Sequence, residues 1–136
     1  MTRSLGLDIG DKRIGVALSD PTAVLASPLT IIYCQDDLAD LGAITSVINQ
    51  YQIERVIVGL PRSMDGSLGK QAEKVKAFTQ KLRSHTEVPI LFRDERLSTV
   101  SARRLMREVN TRKARKESKD DAIAAALILQ AYLDEG

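Results

Sequence analysis

Three acidic positions in this chain could share one chemistry. Asp8 interrupts the apolar run that begins Leu5-Gly6-Leu7, Glu95 stands in Arg93-Asp94-Glu95-Arg96, and Asp120 or Asp121 follows Ser118-Lys119. Carboxylates gathered at one place repel one another, and a divalent cation removes that cost. Oxygen-only ligands suit Mg2+ or Mn2+, and two such ions can activate water on one side of a phosphodiester while stabilising the leaving oxygen on the other. This chemistry needs neither histidine nor cysteine, and the chain has only His85 and Cys34. The same scarcity leaves no material for serine or cysteine triads, for a structural zinc site or for an internal disulfide.

Each acid also has a plainer reading. Asp8 buried among Leu5, Leu7 and Ile9 would cost several kcal/mol unless a cation or donors met it. An ion pair with Arg13, across the turn Gly10-Asp11-Lys12-Arg13, would meet that need. Glu95 could simply pair with Arg93 or Arg96. Asp121 could complete a capping box begun at Ser118, with Asp120 as N-cap. Asp20 and Asp65 fit turn-shaping roles. The site reading gains its weight from three acids at one edge beside a strongly basic segment.

That segment runs from Arg93 to Lys119 and sets ten basic side chains against four carboxylates, a net +6 in a chain whose total is +2. Such a concentration of cations is what a polyanion binds. Lys12 and Arg13 in the hairpin, Arg62 and Lys70 around a glycine-containing loop, and Arg96, Arg103, Arg104 and Arg107 after Glu95 are the expected nucleic-acid contacts. Aromatic residues make up only 4% of the chain, and Tyr33, Tyr51, Phe78, Phe92 and Tyr132 all fall in core-like patterns. An extended base-stacking platform is therefore not expected, and the phosphate backbone is the part to be read.

The elements that would carry these residues follow from periodicity. Strands are predicted over Ser4 to Ile9, Arg13 to Leu18 and Leu29 to Tyr33, an antiparallel meander. From Asp36 the apolar residues Leu38, Leu41, Ile44, Ile48 and Tyr51 recur at helical spacing, with Asp36 or Asp37 as N-cap. The run from Arg55 to Pro61 has the pattern of a strand buried on both faces. A helix carrying Ala72, Val75, Phe78 and Leu82, a short strand Ile90-Leu91-Phe92, and a helix capped by Ser98 or Thr99 come next. A basic loop from Asn110 to Glu117 leads to a last helix, Lys119 to Leu133, with an alanine stripe that lets it approach a sheet closely. This order, βββαβαβαα, predicts an α/β fold with a five-stranded mixed sheet flanked by helices. Ligands of such sheets gather beyond the carboxyl ends of the parallel strands, where Asp8, Glu95 and the turn at Gly10 would meet.

At 136 residues the chain fits one domain, spanning 1–136. No apolar run approaches a membrane span and no signal-peptide pattern opens the sequence, so a cytoplasmic protein without membrane contact is expected.

The motifs Leu7-Asp8-Ile9-Gly10-Asp11-Lys12-Arg13-Ile14-Gly15-Val16-Ala17-Leu18-Ser19-Asp20, Gly59-Leu60-Pro61 with Asp65-Gly66-Ser67, Asp94-Glu95-Arg96-Leu97-Ser98-Thr99, and Asp121 with Ala125 and Ile128-Leu129 resemble the YqgF family, also called RuvX. The resemblance spans nearly the whole chain in order. It implies an RNase H-like fold related to Holliday junction resolvases, and a nuclease that matures the 5′ end of the small-subunit (pre-16S) ribosomal RNA precursor. It implies Asp8, Glu95 and Asp121 as catalytic and metal-binding acids, with Asp120 the alternative for the third. Implied partners are pre-rRNA, a ribosomal precursor particle or branched DNA, met by a monomer or a homodimer. Two other readings stand beside it. The glycine-Asp-glycine hairpin also looks like the first phosphate motif of the sugar kinase, actin and chaperone superfamily, whose members need two such lobes. A non-cleaving nucleic-acid-binding module would use the same cations without the acids.

Overall fold

The computed structural model describes residues 3–61, 69–94 and 117–135. They form strands β1 (Arg3–Ile9), β2 (Arg13–Ser19) and β3 (Ala26–Tyr33), helix α1 (Asp37–Gln50), strand β4 (Ile53–Leu60), helix α2 (Lys70–Arg83), strand β5 (Ile90–Asp94) and helix α3 (Glu117–Leu133). The five strands make one mixed sheet in the order β3-β2-β1-β4-β5. The first three pair antiparallel, as a meander must. β4 joins β1, and β5 joins β4, in parallel. Both parallel steps need a crossover, and α1 and α2 supply them.

Side-chain alternation divides the strands between two cores. Leu5, Leu7, Ile14, Val16, Val56, Val58 and Leu60 pack under α1 and α2, against Ile44, Ile48, Val75 and Leu82. Ala17 and Ile57 face the other way and pack under α3, against Ala125, Ala126, Ile128 and Leu129. β4 is thus buried on both faces, as its unbroken apolar run predicts. The alanines of α3 serve close approach. A Cβ added at Gly6 would lie 2.8 Å from the Leu129 Cβ and 2.9 Å from the Ala125 carbonyl oxygen.

Several local expectations are corrected. Leu38 does not join the core face of α1 but stands 76% exposed in its first turn, while Tyr51, the C-cap, packs partly buried against the core as expected. Asp36 is the N-cap, its Oδ1 accepting from the Ala39 N–H at 2.8 Å. Tyr33 is 60% exposed at the end of an edge strand rather than in the core. β3 begins at Ala26, earlier than predicted, since Pro28 is tolerated on an edge strand, where β2 and β3 shift register between Val16 and Ala17. α3 begins at Glu117, so Ser118 and Asp120 lie within the helix rather than before it. The expected helix from Ser98 or Thr99, the basic loop up to residue 116, and the loop Arg62 to Ser67 with Asp65 lie outside the described residues.

Candidate active site

Asp8 does not lie among Leu5, Leu7 and Ile9. Those three belong to the α1/α2 face, and period-two alternation turns Asp8 with Ser4 and Gly6 toward α3, where it is half-buried. Its direct partner across the antiparallel ladder is Gly15. The start of α3 rests on that glycine: a Cβ there would sit 2.0 Å from the Asp121 carbonyl oxygen and 2.4 Å from the carbonyl carbon. Directly opposed side chains of an antiparallel pair have Cβ atoms about 5 Å apart, so Asp8 rises beside the first turns of α3. Only a residue without a side chain at position 15 lets strand and helix bring these two acids together.

Arg13, two residues before Gly15 and on the same face, donates from Nε to the Asp121 Oδ2 at 2.6 Å. Both side chains are 29% exposed, so the pair is neither fully screened nor dry. A carboxylate charge on Asp121 is thereby balanced from β2. Lys12 is exposed in the turn, where its carbonyl accepts from the Cys34 N–H at 2.9 Å. Gly10 closes that turn with an N–H to the Arg13 carbonyl, also at 2.9 Å. Lys70 is exposed at the first position of α2.

The remaining expected contacts, Arg62, Arg96, Arg103, Arg104 and Arg107, lie outside the described residues, as does the third acid, Glu95. β5 ends at Asp94, immediately before Glu95 in the chain. Among the described residues no three His, Cys, Asp or Glu side chains gather to hold a metal ion. The two acids placed on either side of Gly15 offer oxygen alone, and Arg13 donates to one carboxylate oxygen of Asp121. That donor set fits Mg2+ or Mn2+.

Other interactions on this face carried no signal in the sequence. Gln130 of α3 accepts from the Ala26 N–H at 2.8 Å and donates to the Val24 carbonyl at 3.0 Å, fixing the entry to β3. Arg93 of β5 grips Glu135 through Nε at 2.8 Å and a second nitrogen at 3.1 Å. These pairings join residues far apart in the chain, which no local pattern announces.

The opposite face carries a cleft of about 350 Å³ lined by Ile9, Asp11, Cys34, Asp40, Lys74 and Phe78 among others. Neither Asp8 nor Asp121 reaches it. Burial, followed by the nearby Asp40 carboxylate, pushes the Cys34 thiol up from its ordinary value, the opposite of what a nucleophilic cysteine requires. Asp20 plays the turn role expected of it, accepting the Val24 and Leu25 N–H groups and the Thr22 hydroxyl.

Comparison with known proteins places this arrangement. The chain is 47% identical over 132 residues to a Moorella thermoacetica protein named "Putative pre-16S rRNA nuclease", covering 97% of this chain and 94% of that protein. A Dehalococcoides mccartyi protein of the same name is 50% identical over 127 residues, covering 93% and 94%. Among solved structures, T. thermophilus RuvC in complex with a Holliday junction substrate superposes with a TM-score of 0.62 at 14% identity, covering 98% of this chain and 97% of that one. The fowlpox virus resolvase bound to Holliday junction DNA gives 0.61 at 12% identity, covering 98% of both chains. These two likenesses establish the fold, which is RNase H-like. The family model described as RuvX, Holliday junction resolvase, matches residues 2–135, and with relatives of this identity over nearly its whole length the chain belongs to the RuvX family.

Proposed function

We propose that this protein is a metal-dependent endonuclease that cuts phosphodiester bonds of structured nucleic acid, acting in 5′ maturation of pre-16S ribosomal RNA. One observation carries the reading. The Asp121 backbone is seated on Gly15, the cross-strand partner of Asp8, so two carboxylates from distant parts of the chain stand at one end of the sheet. Membership of the RuvX family and relatives named as pre-16S rRNA nucleases support the substrate.

Asp8, Glu95 and Asp121 are the catalytic acids and would hold Mg2+ or Mn2+. The two ions of such a site supply Lewis-acid polarisation of the phosphate and neutralise charge on the attacking and leaving oxygens. The chain's own residues do the positioning. Asp8 stands on a central strand with neighbours on both sides, so its backbone is held in place. Asp121 is fixed by helix backbone below and by Arg13 beside it. Lys12, Arg13, Arg62, Lys70, Arg96, Arg103, Arg104 and Arg107 bind substrate phosphates with a strength that falls as salt rises. One copy of the chain carries all three acids, which suffices for trimming a single strand. The work is done in the cytoplasm, on a ribosomal precursor particle, and among the described residues no helix is long and apolar enough to cross a membrane.

The deciding experiment compares cleavage of precursor ribosomal RNA and of a four-way DNA junction, with Mg2+ and with Mn2+, by the wild type and by Asp8→Asn. The expected result is metal-dependent cutting of the RNA, lost in Asp8→Asn while nucleic-acid binding persists. Equal cutting by both proteins would defeat the proposed site. Cutting of the junction alone would transfer the activity to the resolvase reading, which the family description and the fold neighbours favour next.

A further inference from the structure

Asp121 is met by a cation from this chain. Arg13 and Gly15 stand two residues apart on β2, so both lie on the face that carries Asp8 and is covered by α3. Because Asp8 pairs in register with Gly15, Arg13 is its diagonal cross-strand neighbour, with Cβ atoms about 7 Å apart. The Asp121 carbonyl lies over Gly15, and the Arg13 Nε donates to the Asp121 Oδ2 at 2.6 Å. Arg13 is thereby bonded to one acid of the candidate site and placed within side-chain reach of the other.

The Arg13 backbone is also fixed. It pairs with Tyr33 of β3, and its carbonyl accepts from the Gly10 N–H at 2.9 Å. With both side chains half-buried, the ion pair is screened less than one fully in solvent. Such a pair bears on cation binding in two ways. Arg13 occupies an Oδ2 position that an oxygen-seeking metal would use, and its positive charge repels a divalent ion. At a separation of a few ångströms a unit charge changes the affinity for a divalent ion on the order of tenfold even where water screens it. The planar guanidinium fork also matches phosphate, so a phosphodiester arriving at the acids offers Arg13 a second anion.

We propose that Arg13 governs metal loading at this site. In the free protein its guanidinium stands in for a divalent cation at Asp121, and a substrate phosphate draws that charge away. Arg13 therefore makes Mn2+ or Mg2+ bind more tightly in the presence of nucleic acid than in its absence. The proposal rests on the nuclease reading for the metal role of Asp121. It adds a coupling between substrate and metal that three carboxylates alone do not require.

The test titrates Mn2+ into the free protein and reads the unbound ion by electron paramagnetic resonance. Arg13→Gln removes the charge, whereas Arg13→Lys keeps it. Arg13→Gln should bind Mn2+ on the order of tenfold more tightly than the wild type, with Arg13→Lys close to the wild type. A merely structural ion pair predicts the opposite sign, because losing Arg13 would loosen Asp121. Unchanged or weaker Mn2+ binding by Arg13→Gln would overturn the proposal. The second measurement is fluorescence anisotropy of a labelled precursor RNA hairpin without and with Mn2+, read before gels detect cleavage. Linkage is reciprocal, so the gain in RNA affinity that Mn2+ confers equals the gain in Mn2+ affinity that RNA confers. That gain should be on the order of tenfold in the wild type and should shrink in Arg13→Gln by the factor that its free-protein Mn2+ affinity has risen. No gain in the wild type would overturn the proposal even if Arg13→Gln failed to fold. Asp121→Asn separates the two readings. Mn2+ binding that depends on Asp121 but not on Arg13 overturns this proposal alone, whereas Mn2+ binding indifferent to Asp121 overturns it together with the metal role of Asp121.

Discussion

Gly15 shows how much one missing side chain can determine. Its Cβ position is already filled by the Asp121 carbonyl, and backbone cannot rotate away as a flexible side chain would. Gly15→Ala should therefore push the start of α3 off the sheet, costing about 1–3 kcal/mol and separating Asp121 from Asp8. Thermal unfolding and metal-dependent cleavage would read the two effects, and cleavage should fall further than stability alone explains. Asp20 offers a cleaner electrostatic case. The Thr22 hydroxyl first, then the Leu25 and Val24 N–H groups, hold its carboxyl at about 2 instead of 3.8. A depressed folded pKa contributes stability above the unfolded value and loses it as pH falls through the folded one. Stability of the wild type should thus decline from pH 3.8 toward about 2 partly through this group, and Asp20→Asn should show a shallower decline in the same window. Denaturant titrations at successive pH values measure it. The sequence marks Asp20 as a turn residue and Asp8 as a carboxylate in a strand. It does not show that Asp8 turns away from Leu5 and Leu7, which depends on which face each helix covers.

Among the elements, α3 does the most to assemble the candidate site. It carries Asp121 at one end and Tyr132 near the other, and its alanines allow the backbone to rest on Gly6 and Gly15. Gln130 ties it to the entry of β3 by two hydrogen bonds to backbone. Gln130→Ala leaves one N–H and one carbonyl without that partner in a partly buried place, so a loss of about 1–2 kcal/mol in urea unfolding is expected, with faster amide exchange at Ala26. Existence and type of this helix are legible from the stripe Ala122, Ala125, Ala126 and Leu129. Its first residue is not, because Ser118 and Asp120 offer capping chemistry to the sequence whereas the helix already begins at Glu117.

For the whole molecule, the uneven charge is the leading quantity. The residues from Arg93 to Lys119 carry a net +6 and leave the rest negative. Replacing Arg103, Arg104 and Arg107 together by Ala should lower the salt slope of nucleic-acid binding by up to about three and weaken affinity across sequences alike. An unchanged slope in a filter-binding series would move the substrate elsewhere. The fold class follows from periodicity, since a two-residue alternation, a both-faces-apolar run and four helical stretches admit few sheet topologies. The acids and their candidate chemistry follow from residue type, because a chain with one histidine and one cysteine has little besides carboxylates to work with. Proximity was decided by tertiary structure alone. That the Asp121 backbone rests on Gly15 opposite Asp8, and that Gln130 accepts from Ala26, depend on contacts between residues more than a hundred positions apart. Local propensity and spacing act over a few residues, whereas such contacts are selected only when the sheet and α3 close on one another.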